Sequence, residues 1–75
     1  MTETVDLDAM GLLCPLPVLK ARKRLQDMKN GEVLRVFADD PAAIVDVPHF
    51  CAESGHVLLE TMQGIKKQVY LIQKV

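Results

Sequence analysis

The chain predicts an α/β fold of the α+β two-layer sandwich type, in the order β-α-β-α-β-β, with a four-stranded mixed sheet and two helices on one face. Three observations carry this. A short polar/apolar alternation at residues 4–9 gives way at once to apolar residues at helical spacing, Asn30-Gly31 and Ser54-Gly55 stop two helical segments, and two β-rich runs flank Gly64 near the end. Right-handed crossovers then place both helices on the same side of the sheet. At 75 residues and 8.3 kDa, residues 1–75 read as a single small domain that cannot enclose a deep cleft, so its chemistry is expected at the surface.

In chain order, Thr4-Val5-Asp6-Leu7-Asp8-Ala9 has the alternation of a half-buried strand that turns Val5, Leu7 and Ala9 inward. Gly11 marks the turn that follows. Val18, Ala21, Leu25 and Met28 then form one helical face, with Lys20, Lys23, Arg24 and Asp27 opposite, and Asn30-Gly31 ends the helix. Glu32–Ala38 is mostly apolar, which predicts a central strand. Asp39-Asp40-Pro41 reads as an acidic cap with proline at the first helical position. Because Pro48 lies inside the second helical segment, the rules predict a short turn through Ala42–Val45 and a restart with Asp46 as cap and His49 to Ser54 as body. Residues 56–63 and 66–74, rich in Val, Leu, Ile and Met with Tyr70, make a hairpin near Gly64.

Cys14-Pro15-Leu16-Pro17 stands where the first strand gives way to the first helix. Proline fits a helix only in its first turn, where backbone N–H groups have no intrahelical partner, so Pro15 and Pro17 are expected at the first and third helical positions and Cys14 at the N-cap. Cysteine is not a favoured capping residue, which points to chemistry there; the alternative is a thiol that merely fills a small cap slot. The N–H groups of Cys14 and Leu16 would face the sulfur at the positive end of the helix dipole and lower the thiol pKa towards neutrality. Cys14 is therefore the catalytic candidate, and Gly11, Pro15, Leu16 and Pro17 are the residues that shape its site.

Composition narrows the remaining classes. The chain is 49% hydrophobic and 25% charged, with no long apolar run for a membrane span and no basic-then-apolar leader, which predicts a cytoplasmic protein with reduced thiols. No cofactor or metal is called for: there is no Cys-x-x-Cys pair, and His49, Cys51 and His56 lack zinc spacing and read as a cap, a buried thiol and a strand-start residue. The net charge of −1 hides an asymmetry, because residues 15–29 carry Lys20, Arg22, Lys23, Arg24 and Lys29 against Asp27 alone. Without aromatic platforms or overall positive charge, that basic helix predicts an acidic protein partner rather than direct nucleic-acid contact. Lys20, Lys23 and Arg24 are the candidate docking residues. A regulatory binding module using this helix, and a redox sensor pairing Cys14 with Cys51, stay open as alternatives.

Asp8-Ala9-Met10-Gly11-Leu12-Leu13-Cys14-Pro15-Leu16-Pro17, followed by Ala38-Asp39-Asp40-Pro41 and Asp46-Val47-Pro48, closely resembles the TusA/SirA-like family of small bacterial sulfur-carrier proteins, over essentially the whole chain. The resemblance implies a sulfurtransferase that works as a persulfide relay. Its motif cysteine takes sulfane sulfur from a cysteine desulfurase or a rhodanese and hands it to an acceptor protein. It also implies service in thiolation of transfer RNA, molybdenum-cofactor supply or sulfur oxidation. Cys14 alone carries over as the sulfur-bearing residue. One departure is Val45, which stands before Asp46 where many members carry a basic residue.

Overall fold

The computed structural model describes residues 3–75. β1 (Thr4–Ala9), α1 (Leu16–Gln26), β2 (Val33–Ala38), α2 (Ala43–Ser54), β3 (Val57–Gln63) and β4 (Gln68–Gln73) follow the expected β-α-β-α-β-β order. The sheet is ordered β1-β2-β4-β3, with β1 parallel to β2 and the remaining neighbours antiparallel. Both helices lie on one face, α1 over β1 and β2 and α2 over β3 and β4. No helix among the described residues is long and apolar enough to cross a membrane.

The alternation along the strands decides which side the helices cover. Register aligns Leu7, Val36 and Tyr70 in one inward row across β1, β2 and β4, and Ala9, Ala38 and Gln68 in the next. Ala21, Leu25 and Met28 of the first helical segment and Ala43, Val47 and Cys51 of α2 close over these rows. The apolar run in β2 is central, with Leu34, Val36 and Ala38 wholly buried. Outward residues pair across the open face instead, as Arg35 does with Asp6 at 2.7 Å.

The course of α2 departs from expectation. It is one continuous helix with Pro48 inside it, and Asp46 is a first-turn residue rather than the cap of a restart. An interior proline costs about 3 kcal/mol, whereas fully burying an aliphatic side chain such as Val47 gains about 1.5–3 kcal/mol. Breaking the helix would pull Ala43, Val47 and Cys51 out of a single buried stripe, so packing outweighs the local penalty. The α-helix also begins later than Pro41: residues 40–43 form a tight turn closed by Ala43 N–H donating to the Asp40 carbonyl at 3.0 Å, with Asp40 Oδ1 accepting the Ala42 N–H at 3.1 Å, and the helix starts at Ala43. His49 is likewise no cap but an exposed residue within α2 whose Nε2 contacts Glu53 Oε1 one turn on.

Among the described residues, one polar side chain lies in the core. Gln68 occupies an inward position of β4, where its Oε1 accepts the Tyr70 hydroxyl at 2.8 Å and its Nε2 donates to the Asp40 carbonyl at 3.3 Å. Satisfied in this way, a buried amide avoids the desolvation penalty of an unpaired group. Through Asp40 it fixes the loop that reaches the candidate site.

Candidate functional site

Because β1 and β2 are parallel, their C-terminal ends lie at the same edge of the sheet, and the two strand-to-helix loops meet there. In the first loop, Leu12 N–H closes a turn onto the Ala9 carbonyl at 3.3 Å, and Gly11 takes the positive φ of 78° that such a turn demands. A Cβ on Gly11 would meet nothing within 4 Å, so the constraint is conformational rather than steric. The second loop grips the first. Gly11 N–H donates to Asp39 Oδ1 at 2.9 Å, and Cys14 N–H donates to Asp40 Oδ2 at 2.6 Å.

The cap of α1 differs from the expected one by a residue. Pro15 is the N-cap, Leu16 opens the helix, Pro17 occupies the second position and is buried, and Cys14 stands just outside. The Cys14–Pro15 peptide bond is cis. Neither N–H group expected to face the sulfur is free to do so, since that of Leu16 donates to the Leu13 carbonyl at 2.8 Å and that of Cys14 to Asp40.

The electrostatic expectation reverses. Cys14 Sγ donates to Asp46 Oδ2 at 2.7 Å, and this hydrogen bond, with desolvation and the charges of Asp46 and Asp40, pushes the thiol pKa above its ordinary value. The physical reason is one of charge: a helix terminus acts as about half a positive charge, while a carboxylate at hydrogen-bond distance brings a full negative one. Cys14 is exposed and Cys51 is buried at 3% exposure, both as free thiols. Burial pushes Cys51 up to about 11.

The sulfur opens onto a groove between the helices, with a volume of about 270 Å³. Cys14, Pro15, Val18 and Arg22 line it from the first helix side, and Asp46, His49, Phe50 and Glu53 from α2. Beyond Arg22 and Phe50 it runs on past Gln26 towards His56, whose Nδ1 accepts the Val75 N–H at 3.2 Å. The predicted docking cations lie elsewhere. Lys20, Lys23 and Arg24 border a separate depression beside Leu7 and Asp27, and Lys20 Nζ is committed to the Asp8 carbonyl at 2.8 Å. Arg22 is the cation that shares the groove with Cys14. Helical spacing held the signal, since Val18 and Arg22 stand one turn apart on the face that carries Pro15. Asp40 and Asp46, read from the sequence only as caps, are the carboxylates that touch Cys14. Leu13 and Leu16 flank the cysteine as exposed apolar residues.

Comparison with known proteins agrees with this architecture. Residues 5–74 match the family described as Sulfurtransferase TusA. Over 69 residues, covering 92% of this chain and 91% of the relative, the sequence is 44% identical to the sulfur carrier protein TusA of Allochromatium vinosum. The crystal structure of a SirA-like protein from Desulfitobacterium hafniense shares the fold, with a TM-score of 0.80 at 24% identity over 92% of this chain and 95% of the other. With the strand order, the match over nearly its full length and the relative's identity in hand, the chain belongs to the TusA family of sulfurtransferases.

Proposed function

We propose that this protein is a sulfur carrier in which Cys14 accepts sulfane sulfur as a persulfide and relays it to an acceptor protein. The observation that carries the reading is that the exposed thiol of a TusA family member sits at the mouth of a groove, while the second thiol is buried in the core. In loading, Cys14 sulfur attacks the outer sulfur of a donor persulfide. The new S–S bond forms on Cys14 as the donor's breaks, and the donor leaves as a thiol. Unloading is the same exchange onto an acceptor thiolate. A buried Cys51 leaves the loaded sulfur without a resolving partner that would discharge it as a disulfide.

A cysteine desulfurase or a rhodanese is the proposed donor class, and thiolation of transfer RNA, molybdenum-cofactor supply and sulfur oxidation are the routes such a carrier serves. The donor meets Cys14 through the groove, where Arg22 offers positive charge and exposed Leu13 and Leu16 offer apolar contact. Lys23 and Arg24 add to the positive field from the neighbouring face of α1. Incubation with a cysteine desulfurase and cysteine, followed by intact-protein mass measurement, tests the reading. The wild type gains one sulfur and Cys14→Ser gains none; a Cys14→Ser protein that still gains it refutes the assignment.

A further inference from the structure

The carboxylates around Cys14 have a direction of action that sulfur acceptance by itself does not require. We propose that Asp46 is a positioning residue that parks the empty carrier as a hydrogen-bonded Cys14 thiol and lets go once the sulfur is loaded, an inference that rests on Cys14 being the sulfur-bearing residue.

The geometry constrains the cysteine from two sides. Asp40 Oδ2 holds its N–H at 2.6 Å from the loop after β2, and Asp46 Oδ2 accepts from its Sγ at 2.7 Å from the first turn of α2. The titratable and charged groups that share the groove with Cys14 or touch it are these two, His49 and Glu53 further along α2, and Arg22 on the same α1 wall as Cys14. A carboxylate only accepts, and the thiol has one proton to give, so the contact exists while that proton stays on sulfur. A carboxylate is also a far weaker base than a thiolate. Asp46 therefore stabilises the thiol rather than removing its proton, and the raised thiol pKa agrees with this.

Loading changes the donor. Cys14–SH and a donor persulfide give a Cys14 persulfide and a donor thiol, with one S–S bond formed and one broken and the Cys14 proton ending on the donor sulfur. A persulfide is more acidic than a thiol and ionises in water. The anion has nothing to donate to Asp46, and both carboxylates repel it, so the loaded sulfur turns away from α2 and towards a partner. One residue thus quiets the empty carrier and presents the full one.

The test is alkylation of the full chain by iodoacetamide, a neutral reagent, as a function of pH in the wild type, Asp46→Asn and Asp46→Glu. The wild-type midpoint lies above that of free cysteine, Asp46→Asn moves it down, and Asp46→Glu, which keeps the charge, holds it high. For each unit the midpoint falls, thiolate below it rises tenfold while its nucleophilicity drops about threefold, a net gain in rate of about threefold. An Asp46→Asn midpoint that is unchanged or higher overturns the proposal, as does slower sulfur uptake at an unshifted midpoint, which would make Asp46 a proton acceptor. The carboxyl carbon resonance of Asp46 should also move on loading and return when dithiothreitol removes the outer sulfur; a resonance indifferent to loading overturns the release. Alkylation needs no sulfur donor, so a wild type that takes up no sulfur would refute the carrier reading and leave the midpoint shift standing.

Discussion

Cys14 N–H donates to Asp40 Oδ2 at 2.6 Å across 26 residues of sequence, and this bond joins the loop that bears the thiol to the loop that starts α2. The same carboxylate accepts from Ala42, and the Asp40 carbonyl receives the buried Gln68 amide, so the core and the site meet at one residue. Asp40→Ala removes both carboxylate contacts. It should cost about 1–2 kcal/mol, on the order of 5–10 °C in melting temperature for a chain of this size. It should also slow sulfur uptake, because the cysteine loop is no longer held. Thermal unfolding and the loading assay report the two effects separately; an unchanged melting temperature would show that the loops hold together without this bond.

The origin of that bond marks the limit of what a linear reading reaches. Thr4–Ala9 and Glu32–Ala38 declare themselves because alternation and apolar runs are local signals, and the structure adjusts their bounds by one residue at most. The position of Cys14 between the first strand and the first helix is legible for the same reason. Asp40 and Asp46 read as caps because their other role arises only when parallel β1 and β2 bring two loops to one edge. The proline rule misplaced the start of α2 because the burial of Val47 and Cys51 is a tertiary term. Gln68 carried a visible sign: a polar residue in the inward phase set by Tyr70 and Ile72.

Cys51 predicts an alkaline limit to stability. Its ordinary thiol pKa of 9.0 rises to about 11 on burial, so folded and unfolded chains bind the proton equally below about pH 9, and the folded chain alone keeps it between there and about 11. The unfolded state then binds fewer protons, and stability falls as pH rises through that window. The Tyr70 phenol, also raised by burial, acts in the same direction. The melting temperature should drop between about pH 9 and about pH 11. Cys51→Ala, starting roughly 1 kcal/mol lower for its lost packing, should show a shallower decline. A parallel decline in both proteins would remove Cys51 as the cause.

Arg22 and Lys20 should separate cleanly. Arg22→Glu puts a negative charge into the Cys14 groove and should slow sulfur acceptance from a protein donor on the order of tenfold at low ionic strength, with much of the loss recovered in salt. Lys20→Glu breaks the tie to the Asp8 carbonyl and should lower the melting temperature with a smaller effect on transfer. Stopped-flow transfer at two salt concentrations distinguishes them. A larger kinetic effect at Lys20 than at Arg22 would move the docking surface to the outer face of α1.

The position of the added sulfur tests the central claim most directly. Trypsin cuts after Lys20, Arg35 and Lys66, so Cys14 and Cys51 fall in different peptides, residues 1–20 and 36–66. After loading by a cysteine desulfurase and trapping with a neutral alkylating reagent, the extra sulfur should appear in the 1–20 peptide and vanish on treatment with dithiothreitol. Sulfur found in the 36–66 peptide, or in neither, would contradict the account.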